Sequence, residues 1–153
     1  MKAKTFLIVV ISVVSGTVAV AQSISPENVI KARQSNLKDI GGAFKAIRDQ
    51  LRLSSPNLPA IKQAAQQIKD LAADQVHWFP KGTGPEVGIK TLAKPEIWSD
   101  AQGFAAALNK FAVEAPKLSS YAEANDIAGL KAQVATVGAA CKGCHDKYRV
   151  PEE

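Results

Sequence analysis

Five residues near the C-terminus, Cys141-Lys142-Gly143-Cys144-His145, constrain this chain more than any other stretch. Two thiols and an imidazole fall at i, i+3 and i+4, and on a helix those positions share one face. Such a face presents two sulfurs and a nitrogen donor to one flat partner. The chain contains two cysteines in all, so both are used here and none is left for a disulfide. Cys-x-x-Cys-His is the attachment pattern of a c-type haem. Each thiol adds across one porphyrin vinyl group, and the histidine takes one axial position on the iron. A redox dithiol would open a helix that follows a buried strand, and a zinc site would need more ligands. No strand alternation surrounds the motif, and the other histidine is the distant His77. The fold must therefore lay a large planar group against one face of a terminal helix.

The N-terminus reads as an export signal over residues 1–21. Lys2 and Lys4 form a basic start, Phe6 to Val14 an apolar run, and Ala19-Val20-Ala21 a small-x-small cleavage pattern. Cleavage there predicts a single mature domain over residues 22–153. The apolar run is interrupted by Ser12, Ser15, Gly16 and Thr17 and is short for a bilayer span of about 20 residues, so no stable membrane insertion is expected. Export agrees with the haem motif, because c-type haem is attached outside the cytoplasm, and it predicts a periplasmic location. The formal charge of +5 falls by two when the leader lysines leave, and the remaining basic residues are scattered. That pattern gives no basis for nucleic-acid binding.

The rest of the chain is written in helical periods. Ser25-Pro26-Glu27 is a helix start, with an N-cap, a proline at the first helical position and an acid at the positive dipole end. Ile30, Arg33, Leu37, Ile40, Phe44, Ile47 and Leu51 then recur at alternating steps of three and four, the stripe of a bundle helix. Ser54 to Asn57 turns the chain. A second helix shows Ile61, Ala64, Ala65, Ile68, Leu71 and Ala72 on one face. A loop rich in glycine and proline follows, from about His77 to Lys94. At roughly 18 residues it exceeds a plain bundle connection. The third helix is expected from Pro95-Glu96, carrying Phe104, Leu108, Phe111, Ala115, Leu118 and Ala122, with a kink or break at Pro116. Asp126 caps a fourth, whose stripe is Ile127, Leu130, Val134, Val137, Cys141, Cys144 and Tyr148. The expected fold is all-α, an antiparallel four-helix bundle with haem attachment at its C-terminal end.

Several strings carry a family resemblance, in this order along the chain: Arg33-Gln34-Ser35 with Leu37, Trp78-Phe79-Pro80, Gly82-Thr83-Gly84-Pro85, Lys94-Pro95-Glu96-Ile97-Trp98-Ser99-Asp100, and Cys141 to Arg149. Over essentially the whole mature chain, it resembles cytochrome c′ and its class II c-type relatives. The resemblance implies a four-helix bundle with one haem c per chain, covalent through Cys141 and Cys144. It also implies nitric oxide as a ligand, single-electron exchange with redox partner proteins, and homodimers built through the first two helices.

The iron's second axial position decides between electron transfer and gas binding. The chain has one methionine, Met1, which leaves with the leader. Some class II relatives place a methionine on the first helix opposite the iron, and the matching position here is Leu37, which cannot coordinate. His77 is the remaining conventional candidate, and Lys38 points about 100° round the helix from Leu37. The expected state is five-coordinate, with His145 as the iron's one protein ligand. The alternative is a plain electron-transfer cytochrome with a six-coordinate, low-spin haem. An apolar lid at Leu37 would offer bound oxygen no hydrogen bond and would crowd any diatomic. The resemblance implies that such a site discriminates among gases and accommodates nitric oxide.

Arg33 stands on an apolar stripe, where a charge is costly unless paired. Either a haem propionate is its partner, or it snorkels to water at the end of the bundle. Gln34 and Thr91 are candidates for polar contact at the propionate edge, and Phe79 for contact with the haem edge. Arg149 follows His145 by four residues and so projects on the same side. The resemblance has it border the proximal face, and it also suits the negative end of the helix dipole. Phe44, Phe104, Phe111 and Tyr148 read as packing. The first-helix stripe holds no acid–base group besides Arg33, so the chain does not read as an enzyme such as a peroxidase.

Overall fold

The structure, a computed structural model, describes residues 25–151; the expected leader and its cleavage pattern lie outside the described residues. Five helices follow in order: α1 Pro26–Gln50, α2 Leu58–Asp74, α3 Glu96–Ser99, α4 Ala101–Glu123 and α5 Ile127–Tyr148. Single turns of 3-10 helix occur at Gln75–His77 and Pro85–Val87. Four of the five helices start on a side-chain cap. Ser25 Oγ accepts from Asn28 N at 3.3 Å, Asn57 Oδ1 from Ala60 N at 3.0 Å, Asp100 Oδ1 from Gly103 N at 3.1 Å, and Asp126 Oδ1 from Gly129 N at 2.9 Å. Each cap satisfies an N–H that the helix itself leaves without a partner. Among the described residues no helix is long and apolar enough to cross a membrane.

The four long helices form the expected antiparallel bundle. α1 packs on α2, α2 on α4, and α4 on α5. The α2–α4 direction is visible in two polar contacts. Lys62 pairs with Glu123 at 3.7 Å, and one turn further on Gln66 accepts from Ser119 Oγ at 3.2 Å. The predicted stripes fill the centre, with Ile47, Ile68, Ala115, Leu118, Leu130 and Val137 fully buried. Burying such an aliphatic side chain is worth about 1.5–3 kcal/mol. A second, smaller cluster of Ile97, Phe104, Leu108 and Tyr148 closes the end of the bundle nearest the C-terminus.

The third helical segment differs from expectation in two ways. It is split at Asp100, whose backbone (φ −116°, ψ 56°) leaves the helical region between α3 and α4. The aspartate is more useful there as a cap than as a helix residue. In turn, α4 runs unbroken through Pro116. The proline removes one backbone donor, but Ala115 and Leu118 are buried beside it, and their packing holds the helix together.

Asp100 also ties the two ends of the site region. Its Oδ2 accepts from the Tyr148 hydroxyl at 2.7 Å and pairs with the Lys147 ammonium. Backbone bonds lie alongside: Lys94 N to Tyr148 O at 3.0 Å and Val150 N to Leu92 O at 2.8 Å. The end of α5 is thereby fastened to the segment that leads into α4.

Two tests follow from this packing. Pro116→Ala restores the missing donor, and relieves a helix-interior penalty of about 3 kcal/mol against a smaller gain of unfolded-state entropy. It should raise the unfolding free energy by about 2 kcal/mol in denaturant titration; a lower value would mean the helix is built around the proline. The second concerns acid. Lys147, then Tyr148, then the Gly103 N–H hold the Asp100 carboxyl down at about 2, against an ordinary 3.8. A depressed carboxyl stabilises the fold fully above its ordinary value and loses that effect as pH falls through its folded value. Stability should therefore decline between about pH 4 and pH 2, and Asp100→Asn should flatten that part of the profile. An acid limb unchanged by the substitution would refute the assignment.

Candidate haem site

Cys141, Cys144 and His145 lie on the last turns of α5, the cysteines half-buried and the histidine exposed. Cys141 packs against the central core, and Cys144 against the smaller cluster of Ile97, Phe104, Leu108 and Tyr148. The two sulfurs thus bridge the junction of the two cores. Burial pushes both thiols up; Cys144, with Cys141 adding to the effect, reaches about 11. Among the described residues no group of three His, Cys, Asp or Glu converges to hold a bare metal ion, so the motif stands without the further ligands that zinc needs.

The helix facing this motif is α1. Whereas every other neighbouring pair of long helices packs along its length, α1 and α5 scarcely meet. One point of approach is Phe44, whose ring lies 3.7 Å from where a Cβ on Gly138 would stand. The two helices are antiparallel, so their register can be counted from that point. Two turns back along α1 from Phe44 comes Leu37, and two turns on along α5 from Gly138 comes His145. Halfway, Gly41 comes opposite Cys141. A side chain at Gly41 would meet no protein atom within 4 Å, and Leu37 is only half-buried. The count thus sets Leu37 and Gly41 along one side of the sparsely packed α1–α5 seam and Cys141, Cys144 and His145 along the other. Two thiols at its edge, an imidazole on one wall and an apolar opposite wall fit a covalently attached macrocycle.

Arg33, one turn before Leu37, is 2 % exposed. Its Nη1 donates to Trp78 O at 3.4 Å and Thr83 Oγ1 at 3.1 Å, and its Nη2 to Thr83 O at 3.0 Å and Thr91 Oγ1 at 3.2 Å. Those four bonds use the Nη hydrogens and leave Nε–H outside the set. Desolvation pulls its pKa below the ordinary guanidinium value. Gln34 Nε2 donates to Lys90 O at 3.0 Å. Arg33, Gln34 and Thr91, three of the residues singled out in the sequence, thus converge in one clasp that fastens the long loop to α1.

Phe79 lies under the Arg33 guanidinium at 4.7 Å. It meets Phe104 edge-on at 4.9 Å, and Phe104 meets Tyr148 edge-on at 5.1 Å. This row runs from α1 through the loop and α4 to α5, with Cys144 and Phe79 packed in the same cluster. Phe79 is thereby brought to the site. Arg149 is half-buried, and its N–H bonds His145 O at 3.1 Å. His77 is exposed in the 3-10 turn after α2, and Lys38 is exposed on α1.

Two residues of the region were not singled out by their chemistry in the sequence. Thr83 is buried, accepts from Arg33 and donates to Pro80 O at 2.8 Å. Asp100 is the hub described above. A signal for the loop existed in its glycines: a Cβ on Gly84 would fall 2.8 Å from the Trp98 ring, while the Trp98 indole N–H donates to Phe79 O at 3.2 Å and Pro80 O at 3.1 Å.

Comparison with known proteins agrees with this arrangement. The sequence profile of the family described as Cytochrome C' matches residues 28–149. Cytochrome c' of Rubrivivax gelatinosus is 50% identical over 125 residues, covering 81% of this chain and 95% of that protein. The crystal structure of cytochrome c' from Thermochromatium tepidum superposes with a TM-score of 0.79 at 29% identity, over 84% of this chain and 98% of the other. A ferrous variant of cytochrome c prime from Alcaligenes xylosoxidans with bound NO superposes with a TM-score of 0.75 at 33% identity, over 86% of this chain and 100% of the other. With a Cys-x-x-Cys-His helix facing an open seam in a four-helix bundle, and with these matches across the described residues, the chain belongs to the cytochrome c′ family of c-type haem proteins.

Proposed function

We propose that this protein is a periplasmic, five-coordinate haem protein that binds nitric oxide and exchanges single electrons. The observation that supports the reading is the approach of Phe44 to Gly138, from which a two-turn count along each antiparallel helix brings Leu37, a side chain without a donor atom, level with His145. In this reading Cys141 and Cys144 hold the haem covalently and His145 is the axial ligand. When bound, the group supplies an Fe(III)/Fe(II) couple and one open coordination position.

The chain's own residues shape access to that position. Leu37 crowds it and keeps water and hydrogen-bond donors away. Phe79 would contact the haem edge, and Gln34, Thr91 and the Nε–H of Arg33 would serve its propionates. Arg149, one turn after the exposed His145, would border the face that His145 ligates. Arg33 is the one ionisable side chain on that stripe of α1, and the loop already engages it. This favours ligand binding and electron transfer over acid–base catalysis. The mature domain spans residues 22–153, works with redox partner proteins, and assembles as a homodimer through α1 and α2. The nitric oxide complex of the Alcaligenes relative supports the choice of ligand.

Purified holoprotein should give high-spin, five-coordinate absorption and EPR spectra in both oxidation states, unaltered in His77→Ala. A low-spin spectrum that disappears in His77→Ala would replace this reading with the six-coordinate electron carrier.

Leu37→Ala should speed binding of carbon monoxide by on the order of tenfold, which corresponds to relief of about 1.4 kcal/mol of crowding in the transition state. Stopped-flow or flash-photolysis rates equal to those of the unmodified protein would remove Leu37 from over the iron.

A further inference from the structure

The turn of α5 that carries His145 is also the end of its helix. The last carbonyls of a helix have no intrahelical donors, and terminal turns fray. Here His145 O still accepts from Arg149 N, but the residues beyond it are held from outside the helix. Lys94 N bonds Tyr148 O at 3.0 Å, the Tyr148 hydroxyl bonds Asp100 Oδ2 at 2.7 Å, and the Lys147 ammonium pairs with the same oxygen. Lys147 Nζ also sits 5.2 Å from the centre of the Tyr148 ring. Tyr148 is buried, stacks edge-on with Phe104, and shares its cluster with Cys144.

Access to Asp100 depends on one missing side chain. A Cβ on Gly103 would lie 2.5 Å from the Tyr148 hydroxyl oxygen and closer still to Asp100 Oδ2. Any side chain there would occupy the place where phenol and carboxylate meet. Gly103 is otherwise an unfavourable residue for the first turn of a long helix. Asp100 is meanwhile held rigidly, because its other oxygen caps α4 through Gly103 N.

We propose that Asp100, given room by Gly103, is a positioning residue for the iron ligand: through Tyr148 and Lys147 it fixes the turn of α5 that presents His145. The proposal rests on the reading of His145 as the axial ligand. It predicts that loosening this junction changes the iron–histidine bond itself, beyond any loss of stability.

The experiment uses ferrous holoprotein and the iron–histidine stretching band in resonance Raman spectra. Gly103→Ala, Asp100→Ala and Tyr148→Phe should each shift or broaden the band. Tyr148→Phe removes one hydroxyl, keeps the packed ring and is the variant least apt to disturb folding. Asp126→Ala removes a cap of the same chemistry at the far end of α5 and serves as the stability control, with its band unchanged. A band present and identical in all three junction variants would overturn the positioning role while leaving His145 as ligand. A shift of equal size in Asp126→Ala would also overturn it, since general loosening would then suffice. Absence of the band from the unmodified protein would overturn the ligand assignment and this proposal together.

Discussion

The open seam between α1 and α5 is the constraint on which the rest of the structure depends. A four-helix bundle normally closes all four sides, because each helix buries an apolar stripe between two neighbours. Here three sides pack closely, while the fourth, between α1 and α5, packs sparsely, with Phe44 against Gly138 as one point of approach. Each of the two helices is instead fastened to something else. α1 is tied to the long loop, and α5 to the junction of α3 and α4.

Those two fastenings are polar, and their energetics differ. Taking the Arg33 charge out of water is costly, and the cost is offset by four hydrogen bonds and a ring beneath the guanidinium. The result is directional: a buried arginine accepts only one loop conformation. The Asp100 junction is exposed to solvent on its lysine side, so the Lys147 pair is weakened by screening. The buried Tyr148 ring and the backbone bonds beside it carry more of the restraint. Between the two fastenings runs the row Arg33, Phe79, Phe104, Tyr148, which makes the wall of the site stiff from α1 to α5. Rigid elements on both sides suit a site whose side chains must keep a fixed geometry.

Much of this was legible in the residues. The stripes of all four long helices and the caps at Ser25 and Asp126 predicted the elements that form, because local periodicity and cap chemistry act over a few residues. Pro116 misled, since a proline penalty of a few kcal/mol is smaller than the burial of Ala115, Leu118 and their neighbours. Asp100 was readable as part of a string but not as a hub, because its partners Tyr148 and Lys147 are far away in sequence. Arg33 was recognisable as a charge that needed a partner. Its carbonyl and hydroxyl acceptors became identifiable only when the loop folded back over it.

The sequence by itself determined the chemistry of attachment, the helical period of every long element and the absence of any methionine beyond Met1. These are properties of residue type and short-range spacing, and no packing can alter them. Tertiary structure decided that α1 and α5 pack sparsely, that the long loop folds back onto Arg33, and that Asp100 joins the end of α5 to the start of α4. Those depend on the register between helices far apart in the chain, which is set by a few contacts such as Phe44 on Gly138 and has no local signature.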